Sequence, residues 1–269
     1  MIRPIRYFLN IFRPTPLLYV AYDVGDKHKQ TIVLLHGIAS TSNTWENIIN
    51  ELKPDKYRVI ELDLLGFGQS PKPKSLDYDV KDHIKSVHKT LNKLKVKKPF
   101  QIVGHSMGAI IAAHYYTTYP TEIKRMFLLG PPIYVKDDES QSIFTKTRTD
   151  LYLDAYKFLS NNKKFTISNS QLIRKLLSIK DGIDVNEENW DSFRLSLMNT
   201  TVKQNTYKEI IDAKIPVSII YGTLDEFLIP ESIDKLAEFQ HVTVKKLIAV
   251  DHIIGKRFAK EVIREITKN

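Results

Sequence analysis

Short apolar runs that alternate with helical periodicity constrain this 269-residue chain more than any other feature. "TIVLL" at 31–35, "YRVIEL" at 57–62, "FQIV" at 100–103, "RMFLL" at 125–129, "VSIIY" at 217–221 and the stretch 242–250 read as strands. Most are apolar throughout rather than alternating, the pattern of strands covered by helices on both faces. Val80, Ile84, Val87, Leu91 and Leu94 recur at steps of four and three, marking a helix with one buried face, and Phe258, Val262 and Ile266 do the same near the C-terminus. Strand and helix in alternation imply an α/β fold with a mostly parallel, doubly wound sheet. A hydrophobic content of 42% is enough for one sizeable core.

One stretch, 131–215, departs from this rhythm. It contains no convincing strand, and "SQSIFTKTRTDLYLDAYKFLSNN", "SQLIRKLLSI" and "EENWDSFRLSLMN" read as three or so helices joined by polar turns. The expected organisation is therefore a core of residues 1–130 and 216–269 with a helical insertion at 131–215.

The chemistry concentrates where "FQIV" meets "AIIAAHYY". Gly104-His105-Ser106-Met107-Gly108 lies between a strand and a helix, and a serine on such a sharp turn exposes its hydroxyl above the C-terminal edge of the sheet. The free N–H groups and positive dipole end of the next helix face that serine. A serine nucleophile needs a base, and only His114, His241 and His252 follow it. His114 lies two turns into the helix after the serine and cannot fold back, and His241 precedes the last strand, at the wrong edge. His252 follows "VKKLIAV" on the same edge as Ser106 and is the candidate base. Asp225 in "IIYGTLDEFL" stands just past another strand on that edge and is the preferred carboxylate, with Glu226 and Asp251 as rivals by proximity. Asp251 adjoins His252 directly, an awkward geometry for its carboxylate to reach Nδ1 of its neighbour.

With Ser106, Asp225 and His252 in that order, each past a different strand, the chain resembles the α/β-hydrolase superfamily, in particular its serine esterases and lipases. "LLHGIASTSNTW" at 34–45 is similar to the family's His-Gly loop, "DLLGFGQSPKP" at 63–73 to its Asp-x-x-Gly-x-Gly-x-Ser turn, and the insertion to its helical cap. The resemblance implies an oxyanion hole made by the backbone N–H groups of Ile38 and Met107, with His36 bracing the loop and Asp63, Gly66, Gly68 and Ser70 forming a turn near the site. The family commonly carries a second glycine directly after the serine turn, where this chain has Ala109. The implied reaction is ester cleavage through an acyl-enzyme, without metal or organic cofactor. Aspartate nucleophiles of dehalogenase type are disfavoured by Ser106, and the loop His-Gly-Ile-Ala-Ser departs from the His-Gly-x-Pro-Gly of carbon–carbon hydrolases. Thioesterase and perhydrolase activities stay open, as does a small-molecule receptor on the same fold with weak hydrolysis.

Tyr152, Tyr156 and Trp190 in the insertion, and Leu224, Phe227, Leu228 and Ile253 near the catalytic loops, are candidate walls for a small hydrophobic ester. Phe144, Phe158, Phe165, Phe193 and Met198 belong to the same group of insertion residues. The chain has no cysteine, which excludes disulfides, a thiolate nucleophile and cysteine-ligated metal. Its net charge of +9 is scattered over lysines without aromatic interleaving, so no nucleic-acid partner is expected, and a weak attraction to anionic membranes stays open. In "MIRPIRYFLNIFRPTPLLYV" prolines and arginines break every apolar stretch, which reads as an amphipathic segment packing on the domain or lying on a surface. A cytoplasmic monomer or homodimer is the expectation.

Overall fold

In a computed structural model, residues 14–52, 55–135, 142–176 and 185–268 are described. The N-terminal expectation therefore falls mostly on residues outside the described ones. Seven strands, β1 (Val20–Val24), β2 (Gln30–Leu35), β3 (Tyr57–Leu62), β4 (Phe100–His105), β5 (Ile123–Leu129), β6 (Val217–Gly222) and β7 (Val242–Leu247), form one sheet in the order β1-β3-β2-β4-β5-β6-β7. All neighbouring pairs are parallel except β1 with β3.

Alternate residues of the apolar runs feed two cores. Val33, Leu35, Ile60, Ile102 and Leu128 face one side. There they meet Ile84, Val87 and Leu91 of α2 (Val80–Lys93) and much of α3 (Met107–Thr118). Ile32, Leu34, Val103 and Phe127 face the other side, against Ile48 of the single turn α1 (Glu46–Ile49) and Phe258, Val262 and Ile266 of α10 (Lys256–Thr267). Each such side chain, removed from water, contributes about 1.5–3 kcal/mol. The Asp79 side chain caps α2 by accepting from Asp82 N–H at 2.8 Å. Between β5 and β6 the chain leaves the sheet for α4 (Ile143–Asn161), α5 (Lys163–Ser168), α6 (Ser170–Leu176), α7 (Trp190–Ser196) with a π-helical turn at Leu197–Val202, and α8 (Thr206–Ile211); α9 (Pro230–Leu236) follows β6.

Two sequence expectations need correction. β1 continues the apolar stretch 17–22, expected to lie in an N-terminal amphipathic segment and found to run into the sheet. It is a half-exposed edge strand, held by a bidentate pair in which Arg58 Nε and Nη2 donate to Asp23 at 2.7 Å each. The last strand ends at Leu247 rather than residue 250, because the chain folds over the end of β6. Thr223 N donates to Leu247 O at 3.0 Å and Leu224 N to Val250 O at 2.9 Å. Among the described residues no helix is long and apolar enough to cross a membrane.

Candidate active site

β4 is central and fully buried, and it delivers Ser106 to the sheet's C-terminal edge. Ser106 adopts φ 53° and ψ −121°, a strained conformation for a non-glycine residue, and is pinned by its N–H donating to Leu129 O at 2.9 Å. The turn closes so tightly that side chains are excluded on both sides. A Cβ on Gly104 would lie 2.2 Å from Gly108 O, and one on Gly108 would lie 2.0 Å from Leu35 O.

Asp225 and His252 converge from the loops after β6 and β7. His252 Nδ1 donates to Asp225 Oδ2 at 2.6 Å, both side chains being buried, and Asp225 Oδ1 accepts from Phe227 N–H at 3.1 Å. With its proton on Nδ1, neutral His252 keeps the Nε2 lone pair free. The rivals are engaged elsewhere or turned outward. Asp251 is exposed and accepts from Ile253 N–H at 3.1 Å, and Glu226 is exposed. His114 pairs with Glu209 and His241 Nε2 donates to Ile210 O at 2.9 Å. Ser106 and His252 line one cavity, and neither Ser106 Oγ nor His252 Nε2 has a hydrogen-bond partner among the described residues. The Ile38 and Met107 amides likewise are engaged by no carbonyl or side chain among the described residues.

Buried polar groups brace this edge. His36 Nδ1 donates to Gly37 O at 2.7 Å while its Nε2 accepts from Leu64 N–H at 2.9 Å, and burial lowers its pKa. Asp63 accepts from Ser42 N–H at 2.9 Å and from Gln69 N–H at 2.8 Å, tying the loop after β2 to the turn after β3.

His105, a bystander by sequence, is in contact with the candidate base. Its Nε2 donates to His252 O at 2.9 Å, and the two rings lie 4.6 Å apart between centroids. Burial first, and the neighbouring His252 second, push the His105 pKa well down, so it stays neutral and its buried Nδ1 is without a hydrogen-bond partner. Only the folded chain brings residues 105 and 252 together, so no sequence signal gave this contact.

The cavity has a volume of about 340 Å³. Ile38, Tyr156, Leu159, Phe193, Leu197 and Phe227 form an apolar wall, most of it from the inserted helices. Asn43, Glu46, Asn47 and Lys256 add a polar wall to the same cavity, and Asn47 Nδ2 donates to Ile254 O at 3.0 Å. Of the residues expected to line a pocket, Tyr156, Phe227 and Ile253 do so. Leu224 is exposed, Leu228 is buried in the main core, and Tyr152 and Trp190 pack within the inserted helices. The polar wall was missed, although Asn43, Asn47 and Asn50 repeat at steps of four and three. No group of three His, Asp or Glu side chains among the described residues is arranged to hold a metal ion.

A family model described as alpha/beta hydrolase fold matches residues 30–255. "Probable lysophospholipase BODYGUARD 4" of Arabidopsis thaliana is 31% identical over 124 residues, which are 46% of this chain and 30% of that protein. The chain thus spans less than a third of the length of that relative. "Lipase 1" of Psychrobacter immobilis is 24% identical over 86% of this chain and 70% of its own length. Among solved structures, an esterase from Exiguobacterium antarcticum superposes with a TM-score of 0.68 at 18% identity, covering 93% of this chain and 96% of that one.

Proposed function

The chain belongs to the α/β-hydrolase fold family, and from that premise we propose that it is a serine hydrolase of carboxylic esters with small to medium hydrophobic acyl groups. The core of this enzyme is residues 1–130 and 216–269 and its cap residues 131–215. The observation that carries the reading is the buried 2.6 Å bond between Asp225 and His252 beside a cavity that Ser106 also lines. The relatives named as lipase and lysophospholipase support ester substrates, and the apolar wall from the inserted helices supports an acyl chain over a sugar or peptide.

In this mechanism Ser106 Oγ attacks the ester carbonyl as His252 Nε2 takes its proton, and Asp225 stabilises the resulting imidazolium. The carbonyl oxygen becomes an oxyanion held by the Ile38 and Met107 amides, each donor contributing roughly 3 kcal/mol. His252 then passes the proton to the departing alcohol, leaving Ser106 acylated. Water, deprotonated by the same ring, attacks the acyl-enzyme, and the acid leaves as Ser106 recovers its proton. The free Nε2 and the two unengaged amides support these assignments.

Fluorophosphonate labelling with peptide mapping, run beside turnover of short p-nitrophenyl esters, tests the proposal. The label is expected on Ser106, and Ser106→Ala is expected to lower kcat by on the order of 10⁶-fold. Stoichiometric labelling without repeated turnover would overturn the enzyme reading in favour of a small-molecule receptor.

A further inference from the structure

Helix α4 exposes large apolar side chains among its charged ones and buries polar side chains among its apolar ones. Its buried face carries Thr145, Thr149 and Ser160 alongside Leu153 and Tyr156. Its outer face carries Phe144, Leu151 and Phe158 at intervals of seven residues, exposed to 71%, 66% and 49%. A solvated helix places its apolar stripe inward and polar residues outward. The outer stripe continues onto α5, where the Phe165 ring packs edge-on against Phe158 at 5.2 Å and is itself half exposed. Four large apolar side chains facing water on two successive helices, two of them in ring contact, mark a surface that something apolar covers.

The fringe of the patch selects the occupant. Residues 143–168 contain Lys146, Arg148, Lys157, Lys163 and Lys164 against Asp150 and Asp154. Lys157 is paired with Asp154 at 2.9 Å, Lys163 with Glu187 at 2.5 Å, and Arg148 lies over Tyr152, which leaves Lys146 and Lys164 as exposed cations without a carboxylate partner among the described residues. A second copy of the chain would bring the same basic fringe against itself, and that repulsion disfavours a symmetric dimer through this face. Anionic lipid headgroups fit both features, because phosphates meet the cations while Phe and Leu side chains enter the headgroup boundary. The same helix turns Tyr156 and Leu159 into the cavity, so a surface touched by Phe158 lies one residue from the cavity wall.

We infer that the outer face of α4, extended by Phe165, docks on anionic membrane surfaces. Docking is separate from ester hydrolysis, and the experiment keeps the two apart by sedimenting Ser106→Ala protein with vesicles. Vesicles of phosphatidylglycerol and phosphatidylcholine in equal parts should retain this protein, and pure phosphatidylcholine vesicles should retain it less. Replacing Phe144, Leu151 and Phe158 together by serine should weaken retention about tenfold or more. In the background that keeps Ser106, the same replacement should leave turnover of a water-soluble short ester unchanged. Lys146→Glu with Lys164→Glu, a variant that leaves the apolar stripe intact, should weaken binding to the anionic vesicles alone. Retention of the triple-serine protein equal to that of its parent would overturn the inference, as would a parent that ignores both vesicle types. A dimer dissociated by the triple replacement, without vesicle binding, would assign the face to a second copy instead.

Discussion

At the sheet edge, His36, Asp63, His105 and Asp225 are buried side chains whose ring nitrogens or carboxylate oxygens bond the backbone of a loop. The inserted helices are tied down differently. Ser192 donates its hydroxyl to Gly66 O and Thr200 to Tyr78 O, both at 2.9 Å, Tyr134 donates to Phe227 O at 3.0 Å, and Tyr152 donates to Glu226 O. Hydrogen bonds to charged groups, as at Asp63 and Asp225, contribute about 1.5–3 kcal/mol, and bonds between neutral groups, as at His36, His105 and the hydroxyls of the inserted helices, about 0.5–1.5 kcal/mol. Asp63 alone joins two loops, whereas each cap hydroxyl reaches one carbonyl of the core. Under the proposed function the contrast suggests two duties, fixed geometry for bond making at the edge and selection among substrates by the inserted helices.

The sharpest attempt to break that division is Asp225→Asn. The amide cannot stabilise an imidazolium, and its NH₂ facing Nδ1 favours the wrong tautomer of His252, so kcat should fall by on the order of 10⁴-fold for every ester tested. The fall should be the same for short and long acyl groups, read from kcat over a chain-length series. A loss confined to long chains would move Asp225 from the chemistry to binding.

His105 offers a smaller and more discriminating effect. Its 2.9 Å bond to His252 O holds the backbone of the proposed base, which makes it a candidate positioning residue. His105→Leu should lower kcat about tenfold with KM unchanged, the value of one hydrogen bond, and His105→Gln, which retains a donor, should recover part of the loss. A second readout concerns stability. Burial holds the His105 pKa below its ordinary 6.5, so above that pH neither folded nor unfolded chain binds the proton and the residue has no pH effect. As pH falls below about 6.5 the unfolded chain takes up the proton and the folded chain resists, so stability is lost. Leucine removes that acid sensitivity. The variant's deficit in unfolding free energy at pH 8 should therefore shrink toward pH 5, by up to about 1.4 kcal/mol per pH unit. Parallel unfolding curves at both pH values would count against a buried neutral His105.

The edge was also the more legible part of the sequence. A glycine-flanked serine between an apolar strand and a helix, and a histidine and an aspartate beyond two further strands, are local patterns that backbone sterics demand, and the spacing carried Ser106, Asp225 and His252 to one edge. Helix periodicity placed α2 and α10 for the same reason, since each must bury one stripe. The cap gave its helices but not its wall. Trp190 and Tyr152 have the composition of a pocket lining and pack within the cap, while Leu159 and Leu197, ordinary residues in sequence, line the cavity. Which face of a short helix turns inward is decided by packing against helices distant in sequence, and α4 even buries its threonines and exposes its phenylalanines. Edge strand β1, although it continues the apolar run 17–22, was passed over for a related reason, because the partner strand that holds it, β3, is distant in sequence.

Leu159 gives the smallest expected effect and the clearest test of the cap's share. Its side chain is half-buried in the apolar wall, and it makes no polar contact with the loops that carry Ser106, Asp225 or His252. Leu159→Ala removes methyl and methylene groups that an acyl chain would cover, and each such group contributes about 0.8 kcal/mol when buried. If a long acyl chain meets part of that surface, kcat/KM for long esters should fall roughly fivefold, within the range one or two methylenes give in a hydrophobic pocket. Acetate esters, too short to reach the wall, should keep their rate, and the loss for long esters should appear mainly in KM. Measured beside Asp225→Asn, the two variants would give opposite signatures, one uniform in chain length and located in kcat, the other length-dependent and located in KM. A uniform loss of kcat from Leu159→Ala would mean that the cap helps to hold the reacting groups, and the separation of duties between edge and cap would fail.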